Sequence, residues 1–132
     1  MKITLLLITL SICSLSFGQH DDKISTVDFV QILNDNEAEA IFYYQNNWKV
    51  LREMALDKGY INSFQLLITP PQNESFQFML ITTYPNKEQY DLKEVHFSEL
   101  IKEKGNLELM NDKNPNDFRN TLFRKEMVRH LN

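Results

Sequence analysis

Three stretches of this chain carry apolar side chains on both sides of a period-two pattern, and that restricts the folds open to it. In residues 26–33, Val27, Phe29 and Leu33 alternate against Val30 and Ile32. In residues 60–69, Phe64, Leu66 and Ile68 oppose Ile61 and Leu67; in residues 76–84, Phe76, Phe78 and Leu80 oppose Met79 and Ile81. Period-two alternation marks strands. A half-solvated antiparallel strand would keep one side polar. The only charge inside these runs is Asp28, which is expected either to begin its strand at a wet edge or to point into a cavity as a base. A sheet built from such strands needs cover on both faces.

Helical spacing fills the gaps between the strands. Asn34 precedes Glu37 by a capping-box interval, and Ile41, Tyr44, Trp48, Leu51 and Ala55 follow three or four apart, with Tyr43, Val50 and Met54 widening the stripe. Gly59 stands where a left-handed C-cap is wanted. The pattern predicts a helix of about 23 residues, roughly 35 Å long. A second begins at the Asn86/Gln89 pair, carries Tyr90, Phe97, Leu100 and Ile101, and ends before Gly105. Residues 69–74 and 111–117 read as loops. Residues 118–128 alternate Thr121, Phe123 and Met127 against Leu122 and Val128, a final strand, with a short helix as the competing reading. The expected class is α+β: a ferredoxin-like βαββαβ sandwich, one antiparallel sheet with two helices on one face. The other face then needs a second copy of the chain, as a homodimer, or the segment after Gly105.

The start of the chain reads differently. Met1-Lys2, an apolar run over residues 3–15 and Ser16-Phe17-Gly18 form the three parts of a secretory signal peptide (residues 1–18). Cleavage leaves residues 19–132 as one domain, without the single cysteine, Cys13, so disulfides cannot hold it. A lipid anchor on Cys13 is the rival reading, opposed by the bulky Ile12 before it. The expected location is outside the inner membrane, periplasmic or secreted, with no membrane partner after cleavage. With 14 basic residues against 18 acidic, the chain lacks the positive excess that nucleic-acid binding requires. Asn73-Glu74-Ser75 matches a glycosylation acceptor and reads as ordinary loop composition.

The βαββαβ order, the two-faced sheet and the Asn47-Trp48-x-x-x-Arg52 segment of the long helix resemble the dimeric α/β-barrel superfamily of ferredoxin-like domains. The likeness covers nearly the whole chain after the leader and is greatest to small exported bacterial members with no assigned function. Other members include antibiotic-biosynthesis and haem-degrading monooxygenases, stress-induced proteins and binding modules. The haem-degrading branch carries a histidine on the second helix, an asparagine on the first strand and a tryptophan near the end of the third. Here His96 fits the first position, while Asp28 and Tyr84 replace the other two and the only tryptophan sits on the first helix. The resemblance thus implies only weak catalytic candidates, His96, Asp28 and Tyr84.

Tyr44 and Trp48, with Tyr43, read either as a pocket lining or as core packing, and Arg52 joins them as a ligand-binding candidate. His20-Asp21-Asp22 reads as a frayed terminus, and the cluster Arg119, Arg124, Lys125 and Arg129 as a solvated face. No phosphate loop, metal-ligand spacing or nucleophile elbow occurs, and no cofactor is expected. Two functions fit: a non-catalytic homodimeric module that binds a small apolar molecule or a partner, and a cofactor-free or haem-dependent monooxygenase.

Overall fold

A computed structural model describes residues 21–70 and 76–131. The expected signal peptide, His20, most of the Pro-Pro loop and the Asn73 acceptor lie outside the described residues. The elements are β1 (Ile24–Ile32), α1 (Glu37–Tyr43), a π-helical turn (Tyr44–Trp48), α2 (Lys49–Asp57), β2 (Ser63–Ile68), β3 (Phe78–Tyr84), α3 (Lys87–Asp91), α4 (Lys93–Lys104), α5 (Pro115–Phe118) and β4 (Arg119–Arg129). The four strands form one antiparallel sheet in the order β2-β3-β1-β4. This is an α+β architecture compatible with the ferredoxin-like pattern. The tail is a strand, paired along β1. No helix among the described residues is long and apolar enough to cross a membrane.

The long helix is continuous from α1 to α2 but widens in the middle, and two adjacent asparagines explain the widening. Asn46 Nδ2 donates to the Phe42 carbonyl (2.8 Å) and Asn47 Nδ2 to the Tyr43 carbonyl (3.0 Å). Side-chain donors that claim carbonyls four residues back compete with the backbone ladder, which relaxes into a wider turn. Asn47 is buried and also ties down the segment after α4. Its Nδ2 donates to the Glu108 carbonyl at 2.7 Å, and its Oδ1 accepts from the Glu108 N–H at 2.8 Å and from Lys104 Nζ at 3.0 Å.

Several local expectations need correction. Asn34 is no N-cap: Asn34 and Asp35 both take left-handed backbone, which turns the chain sharply after β1 and makes Asn36 the capping position. Asn34 and Asn36 instead donate to the Asp117 carbonyl. At the second site Asn86 does cap, accepting from the Gln89 N–H at 2.9 Å, but the buried Gln89 Oε1 has no hydrogen-bond partner among the described residues, so the reciprocal half is missing. The second helix also breaks at Leu92 into α3 and α4. Gly59 takes the left-handed conformation that ends α2, with φ at 73°.

The sheet has two unlike faces. Val30, Phe78 and Leu80 form one buried cluster with Ala40, Tyr44, Trp48 and Phe118. Ile24 and Tyr84 form another with Ala55, Ile61, Tyr90 and Leu100. Ile61 therefore belongs to the core, not with Leu67: it precedes β2, where the strand's alternation does not yet apply. Phe76 likewise precedes β3, and its ring meets Phe29 edge-on at 5.0 Å rather than joining Phe78 and Leu80. On the second face, register aligns Leu67, Met79, Phe29 and Phe123 in one apolar row across all four strands. The next row is Gln65, Ile81, Val27 and Lys125, and the third is Ser63, Thr83, Ser25 and Val128. This face grades from greasy to polar.

Glu39 of α1 fastens the loop before α5, accepting from Asn111 Nδ2 at 3.0 Å with Lys113 Nζ at 3.2 Å. The Asn111 hydrogen bond first, then the helix backbone and Lys113, hold its carboxyl below the ordinary 4.5. A lowered carboxylate pKa gives stabilisation that is complete above the ordinary value and lost as pH falls through the folded one. The Asn111 side-chain amide signals should therefore shift in a single step below pH 4.5 when followed by NMR, and Glu39→Gln should abolish that step.

Candidate functional site

A polar seam divides the core. Along β1 the helix-facing residues run Ile24, Thr26, Asp28, Val30; along β3 they run Tyr84, Thr82, Leu80, Phe78. The apolar ends of these series belong to the two buried clusters, while Thr26, Asp28 and Thr82 lie between them and are themselves buried. Asp28 is therefore not at a wet edge: β1 is an interior strand with β3 and β4 on either side. Its partner is Arg124, directly opposite on β4. Arg124 Nε donates to Asp28 Oδ1, and Nη2 to Oδ2 at 3.0 Å. Planar two-point pairing is what a guanidinium supplies and an ammonium does not. Arg124 thus keeps a half-exposed place on the expected solvated basic face while pairing with the buried Asp28, and Arg119 lies against the Tyr43 ring, 4.9 Å from its centroid. The hydrogen bond to Asp28 holds the Arg124 pKa above its ordinary value.

Arg52 enters the seam from α2. Its guanidinium carbon sits 4.3 Å from the Trp48 ring centroid and 4.4 Å from that of Phe97 on α4, and its Nε donates to Thr82 Oγ1 at 3.2 Å. Burial pulls its pKa down to about 10, with Tyr84 and Asp28 opposing the fall, so it stays cationic at neutral pH. Each ring contact with a desolvated cation contributes about 0.5–2 kcal/mol. Trp48 reaches Arg52 because helical residues four apart share a face.

Between these groups lies a cleft of about 170 Å³, lined by Asp28, Arg52, Tyr84, Phe97 and Arg124, with Lys93 and Glu94 among its other walls. Burial pushes the Tyr84 phenol up to about 12, against the opposing pull of Arg52, so it remains a neutral hydroxyl. A larger hollow of about 720 Å³ lies beside residues 21–24, the start of α3 and the end of β4. There Asp21 is taken up by Lys23, through its N–H at 3.0 Å and its Nζ at 3.6 Å. The small cleft is the one that reaches the polar seam.

The structure brings Asp28, Arg52 and Tyr84 to one place, with Trp48 behind Arg52. Two other candidates lie elsewhere. Tyr44 is in the apolar cluster, its ring 5.0 Å from Phe78, and burial raises its pKa further than that of Tyr84. Its hydroxyl has no hydrogen-bond partner among the described residues. His96 stacks flat on Tyr60, ring centroids 3.6 Å apart at 8°, and its buried Nδ1 is unpartnered among the described residues. It does not line the cleft. Sequence reasoning does not single out Arg124, Phe97, Thr26 or Thr82 for this site. The threonines do leave a signal, as polar residues at helix-facing positions of otherwise apolar strands. Among the described residues no group of three or more His, Cys, Asp or Glu could hold a metal ion.

Neutral imidazole ligates haem iron only when one ring nitrogen is presented to an open face. The stacked His96 ring predicts that haemin added to the purified protein gives no Soret shift that His96→Ala removes; a shift lost in that variant would restore the haem reading. Compared with known proteins, the chain matches no family model, no curated protein and no solved structure.

Proposed function

We propose that this chain is an exported, non-catalytic module that binds a small molecule in the helix-side cleft and works as a homodimer of the ferredoxin-like, dimeric α/β-barrel kind. The leader-like first 18 residues support export. The strand order β2-β3-β1-β4, in which β3 separates β1 from β2 and β1 separates β3 from β4, supports the split βαβ topology.

The observation that carries the binding role is the polar seam. A core built for stability alone would fill these helix-facing positions with hydrocarbon, since the buried Asp28 carboxylate carries a desolvation cost that pairing with the half-exposed Arg124 has to offset. The groups in the cleft are also committed in ways that suit holding a ligand better than moving protons. Asp28 accepts from Arg124 at both oxygens, and Tyr84 is neutral across the physiological range. A general base has to reach the proton it removes, and the Asp28 oxygens are turned to Arg124. This geometry favours binding over the monooxygenase alternative.

Replacing the pair together, Asp28→Leu with Arg124→Leu, should leave urea-unfolding stability within about 1 kcal/mol of the parent or raise it. A loss of more than about 2 kcal/mol would make the seam a structural device and remove the case for a ligand.

Dimerisation rests on the second sheet face. Its row of Leu67, Met79, Phe29 and Phe123 is continuous, with Leu67 and Phe123 well exposed and the Phe29 and Phe123 rings stacked at 4.5 Å. Soluble monomers seldom leave such a surface bare, and a two-fold pairing of like faces covers it with one operation. Sedimentation at micromolar concentration should show a dimer, and Phe123→Glu should give a folded monomer with an unchanged far-UV spectrum. A wild-type monomer would end the dimer proposal.

A further inference from the structure

Arg52 gives the cleft a chemical preference, one that rests on the small-molecule reading of this site. Its guanidinium lies against two aromatic rings, and Nε is spent on Thr82. The two terminal nitrogens have no hydrogen-bond acceptor and no ion-pair partner among the described residues. A guanidinium with ring contacts and one hydrogen bond keeps in-plane donors for a planar acceptor, the arrangement that suits a carboxylate. Asp28 does not fill that role: its oxygens accept from Arg124, and no hydrogen bond or ion pair among the described residues joins it to Arg52.

The balance of charge points the same way. With Asp28 and Arg124 neutralising each other, the remaining charged walls are Arg52 and Lys93 against Glu94. Lys93 is held 4.1 Å from the Tyr90 ring centroid, on the side of the cleft formed by α3 and α4. Leu51, Tyr84, Phe97 and Ile101 give the cleft its apolar and aromatic walls. Arg52 is partly buried and has no ion pair of its own among the described residues, Asp28 acting on it only at a distance, so a bound anion would offset the cost of its desolvation. A neutral hydrocarbon ligand would leave it in place.

We infer that the cleft takes a small organic carboxylate with an apolar or aromatic body, the carboxylate held by the terminal nitrogens of Arg52 and the body by Leu51, Tyr84 and Phe97. A cavity of about 170 Å³ admits one ring and its acid group, not a nucleotide or a lipid. The preference departs from the neutral apolar ligand expected from the sequence, because the cation in the pocket is a feature of packing that the helical stripe does not reveal.

Trp48 is the only tryptophan in the chain and touches Arg52, so its fluorescence reports on the site. Benzoate titrated into the purified protein should change that emission saturably and raise the melting temperature. Benzamide, which has the same shape without the charge, should bind roughly 10- to 100-fold more weakly, the range expected for losing a charge-assisted pair. Arg52→Gln should remove that preference, read by the melting-temperature shift, which does not depend on Trp48. Lys93→Gln, at the rim, should weaken benzoate only a few-fold. Equal binding of benzoate and benzamide, or benzoate binding retained in a folded Arg52→Gln protein, overturns the carboxylate assignment and leaves the binding role standing. Binding of inorganic phosphate but not benzoate also overturns it, by giving the site a different anion. No response to any of the three probes overturns both the assignment and the binding role.

Discussion

A cation placed where two hydrocarbon clusters meet sets the terms for the rest of this molecule. Arg52 lies where Trp48, Phe97 and Thr82 converge. Those contacts come from one helix, another helix and the sheet. Their combined attraction is a few kcal/mol at most, comparable with the desolvation they have to offset. The charge is tolerated because three elements are fixed around it, and they are fixed by the apolar clusters on either side of the seam. Packing supplies the stability and the polar strip draws on it.

The π-helical turn belongs to the same design. The turn spans Tyr44–Trp48, where the helix passes from one cluster to the other: Tyr44 packs on Phe78 in the first, Ala55 belongs to the second, and Arg52 falls between them. Asn47 makes the wide turn rigid by binding the Glu108 backbone on both its N–H and its carbonyl. Turns of this kind are often found at functional sites because they re-aim side chains without breaking the helix.

Much of the architecture is legible in periodicity, and the departures have local causes. The order of strands and helices comes from runs that are long and strongly patterned. Ile61 and Phe76 fall on the opposite side from the one their alternation suggests, because they lie beyond the true strand ends, where the backbone no longer holds period two. Asn34 matches a capping box by spacing, but left-handed backbone at two successive residues moves the cap to Asn36. The cleft is only half visible in the sequence. Asp28, Arg52 and Tyr84 stand out as a charge in a strand, a charge beside an apolar stripe and a phenol at a strand end. Arg124 looks like one charge among many in the tail, since only strand pairing across 96 residues puts it opposite Asp28. Long-range register is not written in local pattern.

The last strand carries two interruptions in its pairing with β1, one at Leu122 and one at residues 126–127, where Met127 adopts φ of 53°. It is also an outer strand, and its exposed length holds Arg124, Lys125, Glu126 and Arg129. An interrupted, charged border is a poor template for another chain to zip onto. Growth of the sheet sideways into a ribbon or fibril is therefore blocked along its longest margin. Edge pairing with another chain is then left to the shorter, uncharged β2 margin at the opposite side of the sheet.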